Sequence, residues 1–277
     1  NYDAARKLEL LQRFRPKAII ANTSYFGHLA AVSGEQPPLD GLTHLFTGGE
    51  GSGHAYLERI EQQWQATISD HYGNTQMGND HMFTCEHGIG PGSRPGLLHN
   101  VEPLVYFEVI DPDTGRHVRD GEMGELILTN LYRLDGPAIR CRVNDRAVYH
   151  EGRYCPCGRS FAGVEVATIS RGDDMKKVKN VNIWPQAVEN VLFAEPEVDD
   201  FEILLASSAQ EADTATARIM PREALEEGDE QALADRLGKA LQKRVGIRFV
   251  VEIIPPGSLA RGDLKVRRWK DERLHSV

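Results

Sequence analysis

The stretch SRGDDMKKVKNVNIWPQAVENVL, residues 170–192, divides the chain. Asp173 and Asp174 lie beside Arg171 in a charged turn, which reads either as a hinge with an anion contact or as a solvated turn. A proline then opens an apolar-periodic run, so a helix is predicted to begin around Pro185. Beyond it the pattern continues as strand FEILLA, strand TARIM, the long amphipathic helix DEQALADRLGKALQKRV and strand RFVVEIIP. That is an α+β unit of about 100 residues, domain-sized in its own right. The boundary falls at Arg171–Asp174, giving segments 1–171 and 172–277.

Upstream the texture changes twice. DAARKLELLQRF spaces Leu8, Leu10, Leu11 and Phe14 as one helical face. KAIIAN is a candidate for a short buried strand. SYFGHLAAV is the next helix, with Ser24 as its expected cap. THLFTGGE is a strand running into a glycine turn, and HAYLERIEQQW is helix again. Such alternation predicts a layered α/β arrangement. From about residue 102, EPLVYFEVID, GELILTNLY and IRCRVNDRAVYH read as strands parted by turn clusters such as DPDTG and RDGEMG, a mostly antiparallel segment.

The chain has 277 residues, a net charge of -9, a pI near 5.6 and 40% hydrophobic residues. One or two domains with a proper core follow from this. The acidic balance argues against a non-specific nucleic-acid binder. No apolar run approaches the ~20 residues that span a bilayer. The first residues form no signal peptide, and they do not begin with Met. Four cysteines are too few for a disulfide scaffold, and a reducing, cytoplasmic location is expected.

Five short segments have chemical readings beside bland ones. TGGEGSG, residues 47–53, lets backbone approach a nucleotide, or is an ordinary turn; it lacks the GK[ST] of a phosphate loop. In HYGNTQMG, Tyr72 stands before flexible backbone and suits ring stacking. IRCRVNDR, residues 139–146, is read as ending a strand with Asp145, a carboxylate able to accept two ribose hydroxyls or simply to close a turn. LARGDLKVRR places Lys265 after a Gly-Asp turn, where a lysine stabilises transition-state charge or lies in solvent. YCPCGR sets Cys155 and Cys157 one residue apart, closer than the usual CxxC. A disulfide across one residue is strained and a CxxC-type redox motif is absent, which leaves a metal clip or a tight turn. Cys141 reads as buried core.

In this order the segments resemble the adenylate-forming (AMP-binding) ligases, within them the phenylacetate–CoA ligase and coenzyme F390 synthetase branch. The resemblance runs from near residue 7 to the C-terminus. Its strongest part is DPDTGRHVRDGEMGELILTNLYRLDGPAIRCRVNDR, CPCGR and SRGDDMKKVKNVNIWPQAVENVL. It implies the C-terminal part of a large adenylation domain, layered α/β with a small β-barrel-like segment, followed by a small mobile α+β domain. It further implies activation of a carboxylic acid by ATP to an acyl-adenylate, then transfer to coenzyme A or a carrier-protein phosphopantetheine. An aromatic acid is expected from family habit.

Residue by residue, the resemblance assigns Gly48, Gly49 and Glu50 to the adenine side of the nucleotide. Tyr72, Gly73, Asn74 and Thr75 continue that pocket. Gln76 stands where the family has a Mg²⁺-binding glutamate, and its amide oxygen offers less charge. Asp145 matches the ribose-binding aspartate, Arg171 the arginine before the hinge, Asp174 the hinge and Lys265 the adenylation lysine. Leu264 and Asn180 stand where the family usually has glycine. Tyr25, Phe26 and His28 would line one wall of the acyl pocket, or their helix simply packs on the sheet. Some members of the branch carry a structural zinc, and its ligands carried over are Cys85, His99, Cys155 and Cys157, with His87 as rival to His99, tying two loops together.

The family's phosphate loop has no match in residues 1–46, so the chain is expected to lack the N-terminal part of a full ligase. The implied cofactors are ATP or AMP, Mg²⁺, coenzyme A and zinc. The implied partners are a small carboxylic acid, an acyl-carrier protein, the missing N-terminal part and a second copy in a homodimer. Nucleic acid and membrane are not among them. The competing function is a degenerate, non-catalytic homologue that binds nucleotide or a partner protein.

Overall fold

The computed structural model describes residues 3–34, 39–207, 213–259 and 267–273. The chain divides into two compact units, Asn1–Asp173 and Asp174–Val277.

The first unit opens with α1 (Ala4–Phe14), capped by Asp3, whose carboxylate accepts the Arg6 N–H at 2.8 Å. Leu8 is buried on it, while Phe14 is 72% exposed. Then β1 (Ala18–Ile20), α2 (Thr23–Ser33), β2 (His44–Gly48), α3 (His54–Trp64) and β3 (Thr67–Asn74) alternate. β1, β2 and β3 pair in parallel, with Ile20 beside Phe46 and Gly48 beside His71. Parallel neighbours need a crossover element between them, and α2 and α3 supply it. Phe26 and Trp64 join the two helices edge to face at 5.8 Å, and the Trp64 indole N–H donates to the Phe26 carbonyl at 3.2 Å. α2 starts at Thr23 with Asn22 in the cap position, so Ser24 lies inside the helix rather than capping it.

From β3 the sheet turns antiparallel. β4 (Asn79–Thr84), β5 (Leu97–Asn100), β6 (Val105–Ile110), β7 (Met123–Asn130), β8 (Cys141–His150) and β9 (Gly163–Glu165) continue one path, β1-β2-β3-β4-β5-β9-β8-β7-β6, with β10 (Ser170–Arg171) on β8. The antiparallel segment is thus hydrogen-bonded to the layered part through β9. All four residues of β5 are buried, because β4 and β9 flank it. Cys141 opens β8 and is partly exposed, so it is not core.

The second unit begins with a hairpin of β11 (Lys176–Val178) and β12 (Val181–Ile183). Its central residues, Lys179 and Asn180, have φ of 48° and 64°. Both are left-handed, as a two-residue turn that follows strand twist requires. Asn180 therefore holds a backbone shape that glycine favours and asparagine tolerates. α4 (Pro185–Leu192) carries its proline in the first turn. β13 (Val198–Ser207), β14 (Asp213–Pro221), α5 (Glu227–Val245), β15 (Val250–Ile253) and β16 (Trp269–Asp271) complete the unit, the sheet running β15-β14-β13-β16. α5 buries Leu233, Leu237, Leu241 and Val245, one residue per turn. Arg268 fixes the entry to β16: its Nε lies 2.8 Å from Asp200, and its guanidinium sits 5.0 Å from the Phe193 ring.

Candidate functional site

The parallel strands β1, β2 and β3 end on one side of the sheet, where open α/β sheets hold ligands. Gly48 closes β2 against His71, whose Nε2 is 2.5 Å from where a Cβ would stand. Only glycine accepts that approach with the ring in place. Gly49 follows with φ of 74°. Glu50 is held by Ser24: one carboxylate oxygen takes the Ser24 N–H, the other its hydroxyl at 2.9 Å. The Thr23 and Thr47 hydroxyls meet at 2.5 Å.

At the end of β3 a polar relay forms. Asn74 donates through Nδ2 to the Tyr72 hydroxyl at 3.1 Å, and the Tyr72 hydroxyl donates to Asp145 Oδ2 at 2.6 Å. Arg171 approaches Asp145 Oδ1 at 3.6 Å and Asp173 at 3.3 Å. β10 pairs with β8 so that Arg171 lies directly opposite Asp145. Asp145 is buried while the Arg171 side chain is 55% exposed. Burial, followed by the charge of Asp145, pushes the Tyr72 phenol well above its usual range. Tyr72 therefore remains a neutral donor and Asp145 the acceptor.

The turn after β3 is tied down. Asn74 Oδ1 accepts the Met77 N–H at 3.0 Å, and the Met77 carbonyl accepts Asn130 Nδ2 at 2.6 Å. Thr75 and Gln76 are exposed on it. Across from Gly73 the register slips: Tyr72 faces Met82 and Gly73 faces Asp80. His81 is left as the extra residue of a β-bulge. A Cβ on Gly73 would lie 2.4 Å from the Asn79 carbonyl oxygen and 2.4 Å from the Asp80 Cα. The bulge, not ligand approach alone, thus requires a glycine here.

Asp174 opens the second unit and is exposed. The expectation for Lys265, with Leu264 before it, lies outside the described residues. Tyr25 accepts a hydrogen bond from Lys7 Nζ at 2.7 Å and lies 5.8 Å from the His28 ring. Of the two readings of this helix, pocket wall or simple packing, Phe26 fits the packing one. It has no exposed surface and packs on Trp64, so it belongs to the core between α2 and α3.

A second cluster joins distant parts of the sheet. One ligand atom from each of Cys85, His99, Cys155 and Cys157 lies within 4.8 Å of the others. Cys85 and Cys155 Sγ are 3.5 Å apart, and Cys157 Sγ is 3.4 Å from His99 Nε2. Tetrahedral zinc with its usual bond lengths sets S···S near ~3.7 Å and S···N near ~3.5 Å. His99 Nδ1 contacts the Phe161 carbonyl at 3.1 Å. Donation there leaves the Nε2 lone pair facing the sulfurs. Burial pushes the Cys155 thiol up to about 12, so a thiolate at that position needs a cation close by. His99 lies on β5 rather than in a loop, because GLLHN forms a strand closed on both sides. His87, the rival ligand, is exposed and outside the cluster; its backbone N–H points at Cys85 Sγ at 3.4 Å. Its side chain lines a cavity of about 440 Å³ with Glu58, Glu61 and Glu86.

Two family descriptions match the chain: AMP-binding enzyme over residues 1–131, and AMP-binding enzyme C-terminal domain over residues 180–273. The chain belongs to the AMP-binding, adenylate-forming enzymes. Among curated relatives, it is similar to the phenylacetate-coenzyme A ligase of Thermus thermophilus, 28% identical over 97% of this chain and 63% of the relative. The phenylacetate-coenzyme A ligase of Pseudomonas putida is 28% identical over 98% of this chain and 61% of its own length. The solved structure of 2-hydroxyisobutyryl-CoA ligase in the postadenylation state, with R3-HIB-AMP, aligns with a TM-score of 0.86 at 27% identity, over 97% of this chain and 57% of that one. The chain thus spans about three-fifths of the length of the curated relatives it matches. Among the described residues no helix is long and apolar enough to cross a membrane.

Proposed function

We propose that the chain carries the nucleotide-binding and C-terminal part of an AMP-forming acid–thiol ligase. The observation that carries this reading is the Asn74–Tyr72–Asp145–Arg171 relay at the carboxyl ends of the parallel strands. In the reaction a substrate carboxylate oxygen bonds to the α-phosphorus of ATP and pyrophosphate leaves. A thiolate then bonds to the acyl carbon and AMP leaves. Asp145 is suited to accept ribose hydroxyls, since a buried carboxylate held by Tyr72 keeps its orientation. Arg171 supplies positive charge beside the phosphate-bearing side of the ribose. Lys265 would balance charge on the reacting carboxylate and α-phosphate. Mg²⁺ would bind the phosphates, with Gln76 as a neutral protein contact.

The acid is read as aromatic on the strength of the relatives named phenylacetate-coenzyme A ligase, and the acceptor as coenzyme A. The four-ligand cluster is read as a structural zinc site, because its donor set is three cysteines and a histidine and its two shortest contacts, 3.5 and 3.4 Å, are close to those of a tetrahedral shell. Such a shell leaves no open position for catalysis.

Calorimetry with AMP and with a phenylacetyl sulfamoyl adenosine mimic tests the reading. Saturable binding of both is expected, weakened about 5- to 150-fold in Asp145→Asn by loss of about 1–3 kcal/mol of charged hydrogen bonding. Absence of binding to the wild-type chain would refute the nucleotide reading. Binding of AMP but not of the mimic would refute the aromatic acid.

A further inference from the structure

The His81 side chain has no exposed surface. Neither ring nitrogen has a hydrogen-bond partner among the described protein groups. It is the unmatched residue of the β4 bulge, and its carbonyl is pinned by the Val101 N–H at 2.8 Å. Bulges re-aim side chains beside functional sites, and this one aims the imidazole at Tyr72: the ring centroids are 5.3 Å apart and inclined by 51°. Burial lowers the His81 imidazole to about 4, against the pull of Asp80, so the ring is neutral at ordinary pH. A neutral ring without polar partners acts through its flat surface. Tilted aromatic pairs at this distance prefer one mutual orientation.

Resting on the nucleotide reading above, we propose that His81 is a positioning residue: its ring backs Tyr72 and keeps the Tyr72 hydroxyl on Asp145, so that phenol and carboxylate meet a nucleotide as one preformed unit. The aromatic surface matters, not the nitrogens. Leucine at this position therefore removes the function, and phenylalanine retains it.

The test has two readouts on the 277-residue chain. In tyrosine-selective carbon NMR, with Tyr72 assigned through Tyr72→Phe, His81→Leu is expected to shift or broaden the Tyr72 signal without ligand, and His81→Phe to leave it in place. In AMP calorimetry, His81→Leu is expected to raise Kd at least fivefold in the wild-type background and less than twofold in Tyr72→Phe. His81→Phe should stay within twofold of wild type. An unmoved Tyr72 signal in His81→Leu overturns the proposal, as does an equal loss in both backgrounds or a phenylalanine variant as weak as leucine. Loss of the folded state in both variants makes His81 a structural residue and overturns it too. A wild-type chain that binds no AMP defeats the nucleotide reading, and the NMR arm then decides the role of His81.

Discussion

Gly73→Ala is the substitution whose outcome the structure constrains most tightly. The added methyl meets the Asn79 carbonyl oxygen, the Asp80 Cα and the Asp80 Oδ1, each at 2.4 Å. Ordinary contacts to a Cβ begin near 3.4 Å, so β3 and β4 must part by about 1 Å at the bulge. Two of the three obstacles are backbone, so a rotamer change cannot relieve them. Overpacking of this kind costs about 1–3 kcal/mol. Loosening one or two ladder bonds at the Gly73–Asp80 and Asn74–Asn79 pairs adds about 1 kcal/mol each. A total of about 2–5 kcal/mol corresponds to a Tm lowered by on the order of 5–20 °C for a unit of this size. The control is Gly228→Ala in the first turn of α5, where an added Cβ meets nothing within 4 Å. There alanine should stabilise by about 0.5–1 kcal/mol. Differential scanning calorimetry of both variants, with AMP binding on Gly73→Ala, reads the result. A Gly73→Ala protein melting within about 1 °C of wild type would refute the account of the bulge as the reason for this glycine.

Elemental analysis of purified protein should find about one zinc per chain, absent in a Cys155→Ser/Cys157→Ser double variant; stable metal-free wild type would contradict the structural zinc reading. Arg268→Met leaves the buried Asp200 carboxylate without its cation and should cost about 3–5 kcal/mol, seen as a lower denaturant midpoint. A midpoint shift below 1 kcal/mol would show the pair to be dispensable. Burial raises Asp70 to about 7, opposed by the His71 N–H. Below pH 4 both folded and unfolded states hold the proton, so no penalty exists. Between about 4 and 7 only the unfolded chain releases it, and stability falls as pH rises. Asp70→Asn should therefore raise Tm at pH 7.5, with the gain shrinking toward pH 4. A gain independent of pH would show that Asp70 does not titrate in that range.

The layered α/β part was legible because the period of its apolar residues changes at recognisable caps and glycines. Strands β3, β5 and β10 were not. β3 ends in the polar run HYGN, β5 is only four residues long, and β10 only two. Each forms because a neighbour is already placed, which no local window contains. Tyr72, Asp145 and Arg171 could be singled out from their motifs, and they do come together. His81 could not, because its importance comes from a register slip with no marker in residue type. Phe26 was left between two readings for the opposite reason. An aromatic residue in a pocket-like motif looks the same whether it faces a ligand or, as here, another helix.

The grip of Glu50 on Ser24 also settles what α2 has to offer an anion. A helix start presents unpaired N–H groups and about half a positive charge, an invitation to phosphate. In this chain that seat is already taken by a carboxylate of the chain itself. On the nucleotide reading proposed above, a nucleotide arriving beside β2 would meet a helix end already engaged by Glu50. Its phosphates would then draw their counter-charge from cationic side chains and metal ions, and the binding should weaken as added salt competes for them.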